Sequence, residues 1–239
     1  YQPQFNLNDG SLVGAEALLR WKRGGSKLVP PGDFIPFTEQ SGLIVPITEW
    51  IVPQVIPDWY GTPLKNDLPR VAINISGHHI GQPERLIQFI KDTLKTTGIK
   101  PQHLELEVTE SSILEDIGRA TETLKALRNL DVTIALDDFG TGYSSLSYLV
   151  SLPIDLLKLD RMFITDINNN SRNLDIVRGL IMMCHSIGIK VVAEGIETLE
   201  QGELLKEIGC DIVQGFYYGR PVPINEFDWI NNMSMSQTG

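Results

Sequence analysis

Short apolar, β-branched runs alternate along this chain with longer stretches at helical spacing. The alternation predicts an α/β fold, specifically a TIM-like (β/α)8 barrel with the first strand antiparallel to the rest. Eight strand candidates can be marked: Gln2 to Leu7, Leu12 to Trp21, Arg70 to Ser76, Leu104 to Thr109, Val132 to Asp137, Ile154 to Asp160, Ile189 to Glu194 and Asp211 to Phe216. A length of 239 residues suits one barrel of this kind, which runs to roughly 250 residues. The stretch Asn8-Asp9-Gly10 between the first two strands is too short for a crossover helix, so the first strand must turn back on the second.

The helices follow from the same periodicity. Ile176, Val177, Leu180, Ile181, Cys184 and Ile187 form a single-faced apolar stripe ended by Gly188, and Leu124, Leu127 and Leu130 form another. The Pro-rich stretch Val29 to Pro36 reads as a loop entering a helix, with Pro31, Asp33 and Glu39 suited to its start. There is no internal repeat or low-complexity tract, so residues 1–239 read as one domain. The chain opens on Tyr1-Gln2-Pro3 inside a strand, which suggests a domain cut from a longer protein whose regulatory domains are not part of this sequence.

Composition narrows the function. With 42% hydrophobic and 21% charged residues the chain is an ordinary globular one. A formal charge of -10 argues against a nucleic-acid polymer or an anionic membrane as partner, and an anionic substrate would need local cations. No apolar run approaches the roughly 20 residues of a membrane span, and no leader opens the chain, which makes a cytoplasmic domain the expectation. Cys184 and Cys210 read as small core residues in a reducing compartment.

Strands packed on both faces should be almost continuously apolar, yet nearly every strand here carries a polar group at or near its end. Glu16, Asn74, Glu107, Asp137-Asp138, Lys158, Glu194 and Gln214 are these groups. Any one of them could simply solvate a strand exit. As a set they would converge on one mouth, because a barrel projects the C-terminal ends of its strands into a common site. Several carboxylates sharing a cleft must take up protons or cations. All the candidate ligands are oxygen donors, with no Cys or His among them, which favours Mg²⁺ or Mn²⁺ over Zn²⁺, and two such ions would suit displacement at phosphorus. Ca²⁺ is expected to bind but inhibit, through its longer bonds and looser geometry.

Arg20 shares strand parity with Glu16, so it should face the same mouth and could grip a phosphate, or else merely solvate the strand exit. Lys158 admits three readings: a counterion for the acids, a group stabilising a water or phosphate, or a Schiff-base nucleophile. The segment Asp138-Phe139-Gly140-Thr141-Gly142-Tyr143-Ser144-Ser145 has the composition of a loop that bends tightly against a ligand, and Ser144 could cap the next helix. Glu110 could hold the loop Phe139 to Ser145 in place, or be an exposed acid at the start of the next helix. His78-His79 have no spaced partner and read as surface or loop residues.

These residues resemble a known family. Gly14-Ala15-Glu16-Ala17-Leu18-Leu19-Arg20-Trp21 contains the tripeptide that names the EAL domains, and the match continues in the family's order. It runs through Asn74-Ile75-Ser76, Glu107-Val108-Thr109-Glu110, Asp137 to Ser145, Lys158-Leu159-Asp160, Glu194-Gly195-Ile196-Glu197 and Gln214-Gly215-Phe216. Val108 and Gly77 are minor departures. The resemblance implies a phosphodiesterase that opens cyclic di-GMP to linear pGpG with Mg²⁺ or Mn²⁺. By the same resemblance Glu16, Asn74, Glu107, Asp137, Asp138 and Glu194 would supply metal ligands, with Glu16 and Glu194 catalytic alongside Lys158, which would act on the attacking water. It further implies that Arg20, Asp160 and Gln214 face the substrate, that Glu110 anchors the loop and Glu197 supports it, and that a homodimer is to be expected. A receptor that binds without turnover, and a Schiff-base aldolase using Lys158, are the competing readings; the first could discard several acids and the second leaves them without a purpose.

Overall fold

Asn8-Asp9-Gly10 forms the tight turn its length demands: Gly10 takes a positive φ of 71° and its N–H donates to Asn6 O, while Ser11 N–H donates to Asp9 Oδ1. The turn joins β1 (Gln2–Asn6) to β2 (Leu12–Ala17) as an antiparallel pair. The computed structural model describes residues 1–24, 27–61, 69–140 and 146–227. After β2 come a small hairpin of β3 (Trp21–Arg23) and β4 (Lys27–Val29), then α1 (Pro31–Gln40) and α2 (Ile44–Tyr60). From there strands and helices alternate: β5 (Arg70–Ile75), α3 (Gly77–Ile80), α4 (Pro83–Thr97), β6 (Leu104–Thr109), α5 (Glu110–Leu114), α6 (Ile117–Arg128), β7 (Thr133–Phe139), α7 (Leu146–Leu149), β8 (Leu156–Leu159), α8 (Arg161–Ile164), α9 (Ser171–Ser186), β9 (Lys190–Glu194), α10 (Leu199–Glu207) and β10 (Ile212–Gln214).

Eight strands close into a barrel in the order β1-β10-β9-β8-β7-β6-β5-β2, with β1 antiparallel to both neighbours and the other pairings parallel. This is the expected fold, including the reversed first strand. Alternation along each strand sends one parity outward to the helices and the other inward. Outward residues such as Val71, Ile73, Leu106, Val108, Leu157 and Leu159 join the core against the helices. Inward, Ala135, Leu156, Val192 and Ile212 form a separate apolar plug with Val13.

The helix stripes behave as their spacing predicts. Val177, Ile181 and Cys184 of α9 are buried while Ile176 at the edge is 44% exposed, and Leu124 and Leu127 of α6 are buried. Both cysteines are free and buried, and burial pushes their thiols up to about 11 for Cys184 and about 12 for Cys210, which keeps them protonated. No helix among the described residues is long and apolar enough to cross a membrane.

Two expectations need correcting. The second strand ends at Ala17 rather than reaching Trp21, because its neighbour β1 runs out where Gln2 pairs with Glu16. His79 is not a surface residue: it is fully buried in α3, stacked on Phe89 with ring centroids 5.9 Å apart and Nε2 3.6 Å from Glu49 Oε1. His78 beside it is exposed as expected.

The upper end of β10 depends on one close backbone approach. Gly215 follows Gln214 directly, and a Cβ there would fall inside the contact distance of Ile196 backbone N and O. Gly215→Ala should therefore destabilise the protein by about 1–3 kcal/mol, the usual cost of overpacking. Urea unfolding checks this, and a change below about 0.5 kcal/mol, as at an unconstrained surface position, would contradict it.

Candidate active site

Inward parity on β2, β6, β7, β8 and β9 brings Glu16, Glu107, Asp137, Lys158 and Glu194 to one point. The Lys158 ammonium sits at that point with the side chain 1% exposed. Its Nζ lies 2.9 Å from Glu107 Oε1, 2.9 Å from Glu194 Oε1, 3.1 Å from Asp137 Oδ2 and 3.7 Å from Glu16 Oε2. The carboxylates that lay far apart in sequence are thus neighbours in space.

Glu16 is held by amides on either side. Asn74 Nδ2 donates to its Oε1 at 2.7 Å and Gln214 Nε2 donates to its Oε2 at 2.7 Å. Gln214 is itself fixed by β1, accepting from Gln4 Nε2 at 2.9 Å and donating to Gln2 Oε1 at 3.2 Å. Gln2 and Gln4 were not among the sequence candidates, although two amides at a spacing of two within a strand expected to be buried are a readable signal.

A single ammonium cannot neutralise this many buried acids. Burial, and then the Glu16 charge, pushes Glu107 well above the usual carboxylate range. Burial pushes Glu194 up to about 8, against the pull of Lys158. Burial acts on Glu16 too, but there Lys158 and the Gln214 and Asn74 amides outweigh it and hold the carboxyl low. Burial would strip the Lys158 proton, but Glu107, Glu16, Glu194 and Asp137 together raise it well above the ordinary lysine value.

The donor set fits a hard divalent cation: oxygen ligands from five strands, excess negative charge, and both Glu107 oxygens buried without a hydrogen bond. Among the described residues no three acids are spaced to hold a metal ion as they stand, and the Lys158 ammonium lies among four of them. Filling the site with metal therefore requires that ammonium to move aside.

The remaining candidates lie around this centre. Asp138 follows Asp137 with φ of 55°, a left-handed conformation, and its N–H donates to Asp137 Oδ1 at 2.8 Å; burial and then the Asp137 charge push its carboxyl up. Asp160 is the N-cap of α8, accepting from Met162 N at 2.8 Å. Arg20 does not share a strand with Glu16, since β2 has ended; it is exposed, its Nη1 donates to Leu19 O, and it lines a cavity of about 480 Å³ together with Asn74, Ser76 and the inner face of α2. Glu197 is exposed, 4.0 Å from Arg161 Nη2.

Glu110 begins α5, yet it is 1% exposed rather than a solvated helix-start acid. It accepts from Gly140 N–H at 3.0 Å and from the Tyr148 hydroxyl. The two donors flank residues 141–145, which, with the proposed cap Ser144, lie outside the described residues. Glu105, two residues before Glu107 and so also inward, is another buried acid that the sequence reading missed; Arg70 Nε lies 3.0 Å from its Oε2.

Fold and site define a barrel enzyme type in which strand-end carboxylates form an oxygen-donor centre at the mouth. The sequence profile of the EAL domain matches residues 1–221, and the chain belongs to the EAL domain family. It is 42% identical over 231 residues to the signaling protein YkoW of Bacillus subtilis (strain 168), covering 95% of this chain and 28% of that protein. It is 39% identical over 225 residues to the cyclic di-GMP phosphodiesterase NbdA of Pseudomonas aeruginosa, covering 94% of this chain and 29% of that protein. The chain thus spans less than a third of the length of these curated relatives. Among solved structures, the PaMucR phosphodiesterase in complex with c-di-GMP superposes with a TM-score of 0.87 at 38% identity, covering 95% of this chain and 92% of that one.

A pH dependence follows from Glu194. In the metal-free protein it retains a proton up to about pH 8, whereas unfolded it releases the proton near 4.5. Between those values the folded state binds more protons than the unfolded one, so this group lowers stability as pH rises through the window. With chelator present, the urea midpoint should fall from pH 5 to pH 8 relative to that of protein in Mg²⁺ or Mn²⁺. A gap between the two that stays constant or narrows with rising pH would contradict the electrostatic account.

Proposed function

We propose that this domain hydrolyses one phosphodiester bond of cyclic di-GMP to give linear pGpG, using Mg²⁺ or Mn²⁺ held by Glu16, Asn74, Glu107, Asp137, Asp138 and Glu194. The observation that carries the reading is the convergence of Glu16, Glu107, Asp137 and Glu194 within 3.7 Å of one ammonium. The names of NbdA and of the PaMucR complex support the substrate class. Two divalent ions in such a site would neutralise phosphate oxygens and lower the pKa of a bound water.

The chain's own residues do the rest. Lys158 is a hydrogen-bond donor rather than a base, because its acidic neighbours keep it charged; once displaced from among them it would orient the attacking water and offset charge gathering on phosphate. The same charge argues against the aldolase reading, since a Schiff-base lysine must be neutral to attack a carbonyl. Gln214 fixes Glu16 and lies on the substrate side of the centre. Arg20, at the rim of the adjoining cavity, is free to reach a phosphate oxygen. Asp160, which follows β8 and caps α8, would face the substrate. Glu110 positions the loop that follows Asp137-Asp138, with Glu197 a supporting acid at the rim.

Incubating the domain with cyclic di-GMP and Mg²⁺ or Mn²⁺, then separating the nucleotides, should yield linear pGpG, while chelator or Ca²⁺ should abolish turnover and Ca²⁺ should still allow binding. Binding without linear product in Mg²⁺ and in Mn²⁺ would establish a receptor instead. Glu16→Ala should abolish hydrolysis in a protein that still folds, and near-normal turnover with unchanged Mg²⁺ dependence would remove Glu16 from the ligand set. Lys158→Ala should keep cyclic di-GMP binding within about tenfold while turnover falls much further. Equal losses in affinity and kcat/KM, with kcat unchanged, would make Lys158 a substrate anchor. Glu110→Ala should weaken Mg²⁺ activation and lower turnover by roughly 10- to 100-fold, the scale for lost support of metal ligands; superimposable Mg²⁺ titration curves would leave it a purely structural acid.

A further inference from the structure

The end of the barrel opposite the active site has a cavity of its own, of about 490 Å³. Its walls come from the strand starts and the segments just before them. Arg70 is the first residue of β5, Lys190 the first of β9, Gln102 and His103 lead into β6, and Asn8 lies in the turn after β1. The apolar plug of Ala135, Leu156, Val192 and Ile212 separates this floor from the carboxylates above.

The cavity wall carries Arg70, Lys190 and His103 against a single acid, Asp211, in a chain whose net charge is -10. Arg70 Nε lies 3.0 Å from Oε2 of Glu105, which is wholly buried, and Arg70 also lines the cavity. Among the described residues no protein group accepts a hydrogen bond from Arg70 Nη1 or Nη2, and Lys190 Nζ has no carboxylate within ion-pair distance. The one acid in the wall, Asp211, is already engaged: its Oδ2 accepts from Val191 N–H at 2.8 Å and lies 2.8 Å from His185 Nε2. A purely structural lower face would be expected to pair its cations. Here Lys190 has no ion-pair partner among the described residues, and Arg70, paired through Nε with the buried Glu105, keeps its two terminal nitrogens for another acceptor.

We propose that this floor cavity binds a small phosphorylated anion, with Arg70 and Lys190 taking the phosphate oxygens and the Asn8 and Gln102 amides contacting the rest of the molecule. A guanidinium held at one edge presents its remaining N–H groups as a fork suited to phosphate, and the ammonium adds a point charge. The cavity has room for either inorganic pyrophosphate or a mononucleotide. The site needs no metal and does not depend on the activity proposed for the mouth.

Isothermal titration calorimetry of the full chain, with EDTA to keep divalent cations from the mouth, tests the site using inorganic pyrophosphate in one arm and adenosine monophosphate in the other. One-to-one binding of pyrophosphate alone marks an inorganic anion; binding of adenosine monophosphate, competed by pyrophosphate, marks a nucleotide. Lys190→Gln should weaken binding about tenfold without touching Glu105, and Arg70→Lys should do the same while keeping a cation beside Glu105. Glu16→Gln, at the other end of the barrel, should leave the isotherm unchanged. Absence of binding in both arms, binding undiminished by Lys190→Gln and by Arg70→Lys, or binding lost in Glu16→Gln would each overturn the proposal.

Discussion

An ammonium buried among four carboxylates sets the terms for the upper half of this barrel. Taking charges out of water costs several kcal/mol per ion, and the attraction of one lysine to four acids repays that only in part. The surplus negative charge must be met by protons or by cations. Without metal, burial drives Glu107 and Glu194 upward, while Lys158 and two amides hold Glu16 low. Divalent ions would exchange those protons for positive charge and release Lys158 toward the water and phosphate. On the proposed reading the same residue would be a structural counterion in one state and a mechanistic donor in the other.

The reversed first strand serves this centre directly. Because β1 runs opposite to its neighbours, its first residues lie at the mouth rather than at the floor, and Gln2 and Gln4 bond Gln214, which in turn bonds Glu16. Gly215 then lets β10 approach the chain after β9 closely enough to keep Gln214 beside Glu194 in register. Below, the apolar plug of Ala135, Leu156, Val192 and Ile212 lies on the inner side of the barrel. Beside them, Glu110 ties Gly140 and Tyr148 to the end of β6, which limits how far the segment after Asp137-Asp138 can move.

Much of this could be read from the residues. Strand-end carboxylates separated by dozens of positions could be assigned to one mouth because a parallel barrel leaves them no other place to meet. The antiparallel β1 followed from three residues of turn. What escaped was set by where strands stop and what packs beside them. Arg20 was placed by a parity that ended at Ala17, because nothing in the sequence marks where β1 runs out as a partner. Glu105 has the parity of Glu107, but an isolated acid gives no sign of the arginine that enters from the next strand to meet it. His79 is polar by composition, and only the packing of α3 against Phe89 and Glu49 buries it.

The displacement of Lys158 by metal is the central claim, and a crystal soaked in Mn²⁺ and measured at the manganese absorption edge addresses it most directly. Anomalous peaks should appear between Glu16, Asn74, Glu107, Asp137, Asp138 and Glu194, with Lys158 Nζ moved out of its contacts with Glu107 and Asp137. A map without anomalous density at the strand ends, with the ammonium still bridging all four carboxylates, would show that the centre is a closed ion-pair cluster and not a metal site.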